Sequence, residues 1–401
     1  MKQKKRKNRL TEKWLLLAVL LSNTGNSMIW PITTLYMTST LHQTFTTAGL
    51  VLMIGASINI LGAFVGGKLF DHWDPHRSLV IAGIIATSMV TALIFWNGWP
   101  VFAILIWLAN FGMGAIQTLV NAYATTLPGK STRVIFNNMY IVLNIGVVLG
   151  TLAVGYLFDY GFWILMAIAA ALYFFLLVLS FAIFRLPADN EVIEEVSASD
   201  ETAPAADQPV KKFRIDSLLA WIGALLFITY LSYMLWETIM APHMKALGLP
   251  TRNYADLWMI NGVTIIIFQK PISNWANRNS YRISVILGAL IFATSFLLMP
   301  FVKEFWQIVL VFELLTVGEM LESPQVPAWV SQITPPAVAG QAQGFVSMMI
   351  SSGRVVGPIY AGVMMDHGLM NQLFLSVFFG MLVIIAGLYW ITGRKSEKGK
   401  Q

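Results

Sequence analysis

The chain contains no cysteine, which excludes disulfide frameworks, thiol nucleophiles and cysteine-based metal sites. Charge is scarce as well. Only 11% of the 401 residues are Asp, Glu, Lys or Arg, while 57% are hydrophobic; a soluble domain carries about 25% charged residues. A chain this poor in polar surface cannot be a soluble enzyme, a disordered protein or a nucleic-acid-binding module. Also missing is a glycine-rich phosphate loop ending in Lys-Ser/Thr, so ATP-driven work within this chain is not expected. Of the five histidines only His72 and His76 are close in sequence, and a basic loop explains that pair as well as a metal would. No metal and no cofactor are therefore expected, and no enzyme: no Ser/His/Asp set has a plausible soluble pocket.

What is present is a series of long apolar runs. They lie at 14–37, 47–70, 78–96, 100–127, 133–158 and 162–185, then at 217–241, 254–273, 281–300, 305–332, 340–365 and 371–392. A membrane-crossing helix takes roughly 20 apolar residues, so the pattern predicts twelve spans. The first run is too long for a signal-peptide core and contains Asn23, Gly25 and Asn26, so it is read as a span. Positive charge fixes the orientation. Of the 26 Lys and Arg residues, 22 fall on the side of the two termini; Lys245, Arg252 and Lys303 fall on the other, and Arg354 within a span. Both termini and the central loop are thus expected in the cytoplasm, with the chain in the cell membrane. The net charge of +6 reports topology rather than nucleic-acid binding.

The expected organisation is a basic tail (1–13), a six-helix bundle (14–186), a linker (187–216), a second six-helix bundle (217–393) and a basic tail (394–401). The linker is rich in Pro, Ala, Ser and acids and lacks aromatics through 212, so it cannot bury enough surface to fold. The two halves echo one another at an offset of 207. Gly150, Gly155, Asp159 and Gly161 correspond to Gly357, Gly362, Asp366 and Gly368, and Pro128 to Pro335. The first spans of the halves align instead at an offset of 211, through Pro31 and Pro242, which puts Asn26 opposite Glu237. A parallel repeat of this kind places a substrate site between the halves, near mid-membrane.

Twelve spans in two halves, a long central loop and a basic loop after the second span resemble the major facilitator superfamily. That loop, Gly67-Lys-Leu-Phe-Asp71-His-Trp-Asp74-Pro-His-Arg77, is similar to the signature Gly-x-x-x-Asp-Arg-x-Gly-Arg-Arg. It departs where His72 replaces Arg and Asp74 replaces Gly. The resemblance implies a gating role for Gly67, Asp71 and Arg77, only partly carried over given those departures. The fifth span, with Gly146, Gly150 and Gly155, resembles an antiporter motif whose Gly-Pro appears instead in the eleventh span, as Gly357-Pro358 followed by Gly362. Gly318-Glu319 before Pro324, and Trp236-Glu237 before Pro242, resemble the twelve-helix drug:proton antiporters. The implied fold is an all-α membrane protein of twelve transmembrane helices in two pseudo-symmetric bundles.

Glu237, Glu313, Glu319 and Glu322 are the only acids well inside the runs. An ionisable group at bilayer depth costs several kcal/mol and should face a cavity or a partner. An acid there favours its neutral form and can take up a proton on one side and release it on the other. Glu237 and Glu319 are the expected proton-coupling and cation-attracting pair. At about 1.5 Å per residue, Arg354 lies at the depth of Glu319 and Glu322, and an ion pair with one of them is expected. The first half offers amides instead, chiefly interhelical glue. Asn26 and Gln117 are the candidates for the cavity, because the first and fourth spans line it in the resembled family. Trp236, Tyr36 and Trp107 are candidates for stacking on a flat cation. Gly146 and Gly150 have the four-residue spacing of close helix approach.

The reading is a secondary transporter working by alternating access, exporting small amphipathic or cationic compounds in exchange for protons. Its partners are the substrate, protons and the bilayer, with no nucleic acid, and it acts as a monomer. A carrier for a sugar, peptide or lipid precursor is the second reading. A non-transporting membrane receptor is the reading from another class.

Overall fold

The computed structural model describes residues 10–127, 132–185, 215–335 and 339–398. The expected linker through 214 and the extreme tails lie outside the described residues. The first half runs α1 (Glu12–Ser39), α2 (Phe45–His72), α3 (Pro75–Phe95), α4 (Val101–Thr125), α5 (Thr132–Leu157) and α6 (Phe162–Ile183). In the second half come α7 (Ser217–Thr238), α8 (Met240–Ala246), α9 (Thr251–Arg278), α10 (Tyr281–Leu298), α11 (Phe305–Glu322), α12 (Gln325–Ile333), α13 (Ala339–Asp366) and α14 (Met370–Lys398). With α7–α8 and α11–α12 each making one span, these are twelve transmembrane helices in two pseudo-symmetric bundles. Each bundle has its own apolar core.

Several spans begin where a short polar side chain takes up free backbone N–H groups. Thr44 accepts from the Thr47 N–H at 3.1 Å, Asp74 from Arg77 at 3.0 Å, Asp216 from Leu219 at 2.8 Å and Ser280 from Ile283 at 3.3 Å. Pro75 follows its cap directly, where a missing N–H costs nothing. Among the described residues, nine helices are long and apolar enough by themselves to cross a membrane. The spans outside that set, built on α9, α11–α12 and α13, carry Asn261 and Gln269, Glu313, Glu319 and Glu322, and Arg354.

Two of the expected spans are not continuous. The runs 217–241 and 305–332 are each broken, after Thr238 and after Glu322. Proline is the cause, since it has no N–H for the carbonyl four residues earlier and its ring crowds that carbonyl. Pro324 leaves the Met320 carbonyl without its helical donor, and the Gln269 side chain reaches it at 3.4 Å. Pro242 disturbs α7 at its end, where the Tyr254 hydroxyl sits 3.2 Å from the Trp236 carbonyl and 3.3 Å from that of Glu237. Buried carbonyls loosened by a break are thus met by side chains from α9.

Glycine contacts fix the internal symmetry. In the first half, Gly146 and Gly150 of α5 pack on α1; a Cβ on Gly150 would lie 2.5 Å from the Thr24 carbonyl oxygen and 2.7 Å from Ser27 Cβ. In the second half, Gly357 of α13 packs on α7, with the corresponding distances 2.7 Å to the Leu231 carbonyl oxygen and 2.8 Å to Met234 Cβ. Thr24 to Leu231 and Ser27 to Met234 are both offsets of 207. The alignment of the first spans at 211 is therefore corrected. Pro31 and Pro242 are not equivalent: Pro31 lies inside α1, whereas Pro242 lies in the separate α8. Asn26 faces the place of Tyr233, and Glu237 that of Trp30.

The halves meet on the face away from the termini. The Asp366 carboxylate, at the end of α13, accepts the Phe45 and Thr46 backbone N–H groups at 2.8 and 2.6 Å. Gly362 brings α13 against Phe45 and Thr46, and Gly49 of α2 lies against the Pro358 carbonyl. On the other side, Gly155 of α5 lies against Arg252 and Ala255 of α9, and the Tyr156 hydroxyl donates to Asp256 at 3.0 Å. Trp30 meets Trp258 edge-on, centroids 5.4 Å apart. The cleft between the bundles is sealed on this face and opens toward the face of the termini.

Candidate functional site

The second half supplies a charged wall. Glu237 at the end of α7, Glu319 near the end of α11 and Arg354 in the middle of α13 come together, with Tyr230 and Tyr233 of α7 between them. Arg354 is in electrostatic reach of both Glu237 and Glu319, and Glu319 of Glu322. Glu237 and Glu319 are half-buried, so neither points wholly into protein. One Glu319 oxygen is buried with no hydrogen-bond partner. Tyr140 of α5 faces Glu319 from the first half.

The expected ion pair between Arg354 and Glu319 or Glu322 is not formed; no acid oxygen lies within 4.0 Å of the guanidinium among the described residues. Arg354 instead lies over the Tyr230 ring, 5.1 Å from its centroid, and is exposed. A cation on an aromatic face in contact with the open cleft keeps its solvent and needs no salt bridge. Glu322 is enclosed, at 1% exposure: one oxygen accepts from the Thr229 hydroxyl at 2.9 Å and the other has no partner. Glu313 meets Thr264 of α9, again with one oxygen unpartnered.

The first half supplies amides, as the sequence suggested. Asn26 and Gln117 line one pocket together with Ser22, Asn23, Asn59, Met113, Ile116 and Tyr173. Other amides do act as glue. Asn138 donates to Glu12 at 2.6 Å, tying α5 to α1, and Asn59 donates to the Asn110 carbonyl at 3.1 Å, tying α2 to α4.

The aromatic candidates are corrected. Trp236 is 1% exposed and stacks on Phe312 with centroids 4.5 Å apart, inside the second core. Tyr36 is buried and stacks on Phe162 at 4.0 Å. The Trp107 indole N–H donates to the Val51 carbonyl at 2.9 Å, which fastens α4 to α2. Burial of the large rings in each bundle outweighs any use of them in the cleft. Rings at the meeting of the halves include Tyr230, Tyr233, Tyr140, Tyr156, Trp30 and Trp258, none of them among the expected stacking residues. Offset 207 would have flagged Trp30, since it makes this ring the counterpart of Glu237.

At the signature-like loop, Gly67 has room around it: a Cβ there would come no closer than 3.5 Å, to Thr118. The Asp71 side chain lies outside the described residues. Arg77 pairs with Asp74 at 3.4 Å on the surface, so Asp74 is a helix cap with a local partner, which a glycine could not be. Of the predicted packing residues, Gly146, Gly150 and Gly357 bring helices together within a half. Gly155, Gly362 and Pro358 act across the halves, in the seal. Asp366 was read only as a repeat match, although Gly362-x-x-x-Asp366 has the spacing of Gly67-x-x-x-Asp71.

The chain matches the family model described as Major Facilitator Superfamily over residues 15–269 and 227–401. It is 29% identical over 378 residues to the uncharacterized MFS-type transporter YttB of Bacillus subtilis (strain 168), covering 93% of each chain. It is 26% identical over 180 residues to the multidrug resistance protein MdtG of Rahnella sp. (strain Y9602), 43% of each. Among solved structures it superposes on the peptide transporter POT in complex with sulfate, with a TM-score of 0.74 at 15% identity, covering 94% of this chain and 93% of that one.

Proposed function

Because the chain belongs to the Major Facilitator Superfamily and is a membrane transporter, we propose that it exports small amphipathic cations in exchange for protons by alternating access. The observation that carries this reading is the wall of half-buried Glu237 and Glu319 with exposed Arg354, on a cleft sealed at one face. Acids at that depth attract a cation and, when neutralised by a proton, release it. Arg354, with no carboxylate within 4.0 Å, leaves both acids free for this exchange and offers them a partner once the cation has left. The similarity to a multidrug resistance protein over part of the chain supports the same class of cargo.

The face of the termini is the cytoplasmic one in this proposal. Lys13, Lys68, Arg77, Arg185, Lys270, Arg278 and Arg282 lie on it, against Lys245, Arg252 and Lys303 opposite. The structure then corresponds to the state that loads cargo from the cell interior.

The test is dye flux into inverted membrane vesicles under an imposed proton gradient. Wild type should accumulate a cationic dye, and the Glu237→Gln/Glu319→Gln double variant should not. Undiminished gradient-driven flux in the variant refutes the assignment of the acids. Flux in the opposite sense refutes export.

A further inference from the structure

The pocket in the first half has a one-sided hydrogen-bonding character. The Asn23 amide donates to the Val19 carbonyl at 2.8 Å, and the Asn59 amide to the Asn110 carbonyl at 3.1 Å. A backbone carbonyl only accepts, so in both residues the NH2 end is fixed and Oδ1 is the end left over. Ser22 spends its hydroxyl proton on the Ala18 carbonyl at 2.8 Å, and the Tyr173 hydroxyl lies 3.3 Å from the Ser22 carbonyl. Those oxygens keep lone pairs and have no proton to give. Asn26 and Gln117 make no hydrogen bond among the described residues and can turn either end of the amide to a guest. Ser22 and Tyr173 therefore offer acceptors alone, while Asn23 and Asn59 each offer a free Oδ1 against one remaining N–H, so acceptors outnumber donors in the pocket, and the two adaptable residues can add to that excess.

A guest rich in donors complements that excess of acceptors. A primary ammonium has three N–H groups and a charge that amide oxygens solvate well. No carboxylate lines the pocket, so its charge must be balanced elsewhere, and the second half supplies the acids across the cleft. Gln117 is exposed, so the pocket is reached from the cleft. We propose that this pocket is a docking site for the N–H-bearing end of a primary or secondary ammonium, selecting it over quaternary ammonium ions of equal charge. The proposal rests on the cation reading above, and deepens it from charge to hydrogen-bond chemistry.

The test uses purified full-length protein in detergent and tryptophan-fluorescence titrations with 2-phenylethylammonium and its N,N,N-trimethyl analogue. Both are cationic aromatics, and only the first has N–H donors. Wild type should bind the primary ion roughly tenfold more tightly or better, the discrimination of one or two hydrogen bonds to a charged group. In Asn26→Leu and in Gln117→Leu, which break no described hydrogen bond, the ratio of the two affinities should fall toward unity. Thermal unfolding of each variant checks that it is folded, and the wild-type comparison stands without them. Equal binding of the two ions by wild type, with both lost in Glu237→Gln/Glu319→Gln, leaves the cation reading standing and overturns the pocket. A preference kept in both Leu variants also overturns it, because size alone then discriminates. Binding of neither ion defeats both proposals.

Discussion

Replacing Asp366 by Ala removes the only carboxylate that, among the described residues, ties α13 to the start of α2. It accepts two backbone N–H groups, at 2.8 and 2.6 Å, and stands at a helix N-terminus where a negative charge is favoured. Hydrogen bonds to a charged group contribute about 1.5–3 kcal/mol each. The site is exposed, so water replaces much of that on opening, and a net of about 2 kcal/mol for the pair is reasonable. That corresponds to about a 30-fold shift away from the sealed state. The absence of native cysteine makes the assay direct. A single reporter, Ala255→Cys, sits at the contact with Gly155, where Ala255 is wholly buried. Its labelling by an impermeant thiol reagent from the sealed face measures opening, and Asp366→Ala should raise the rate by about that factor. Burial opposes ionisation of Asp366, but hydrogen bonds from Thr46, Phe45 and Thr44 outweigh it and hold the carboxyl below its ordinary range. A depressed value means the tie is intact above the ordinary carboxylate range and weakens as pH falls through the lowered one. Opening of the parent seal, read as the labelling rate corrected for the reporter's thiolate fraction, should therefore be flat near neutrality and rise only in strong acid. An unchanged rate in Asp366→Ala refutes the reasoning.

Thr229→Val should leave the buried Glu322 carboxyl without a donor and lower stability by about 1–3 kcal/mol; an unaltered unfolding midpoint in detergent contradicts this. Gly150→Ala should cost at least a comparable amount, because its Cβ would sit 2.5 Å from the Thr24 carbonyl oxygen. Gly344→Ala should be harmless or mildly stabilising, since nothing lies within 4 Å of that Cβ. Equal midpoints for the two alanine variants would count against the close α1–α5 packing. Arg354→Gln should weaken exchange driven by a proton gradient without unfolding the protein, as the group is exposed and lies only on Tyr230. Flux at the parent level would remove Arg354 from the cycle.

The twelve spans were legible because apolar length alone marks a membrane helix. Even so, α11 and α13 could be read only from their place in the pattern, since their acids and Arg354 dilute the apolar signal. That Asn26 and Gln117 line one pocket was expected from the resemblance, whose first and fourth spans line the cavity; as amides in spans they read only as glue. The ion pair of Arg354 was not: helical rise gives depth but no azimuth, and the side chain turned to Tyr230. Trp236 and Trp258 have the same composition signal, and only packing tells that one stacks on Phe312 while the other edges Trp30 between the halves. The register error had a similar source. Two prolines in comparable runs invited alignment at 211, but one sits inside a continuous helix and the other beyond a break.

The two breaks stand at opposite ends of the transport path. Glu237 is the last residue but one before the gap that leads to α8, on the shut side, and Glu322 is the last before the gap that leads to α12, on the open side. Each break leaves a short segment, α8 or α12, joined to its shaft, α7 or α11, by only one or two non-helical residues. An acid that gains or loses charge at such a break delivers its effect where stiffness is least, over a distance of one or two residues. On this geometry each break has its own acid beside it, with Glu319 between them in depth.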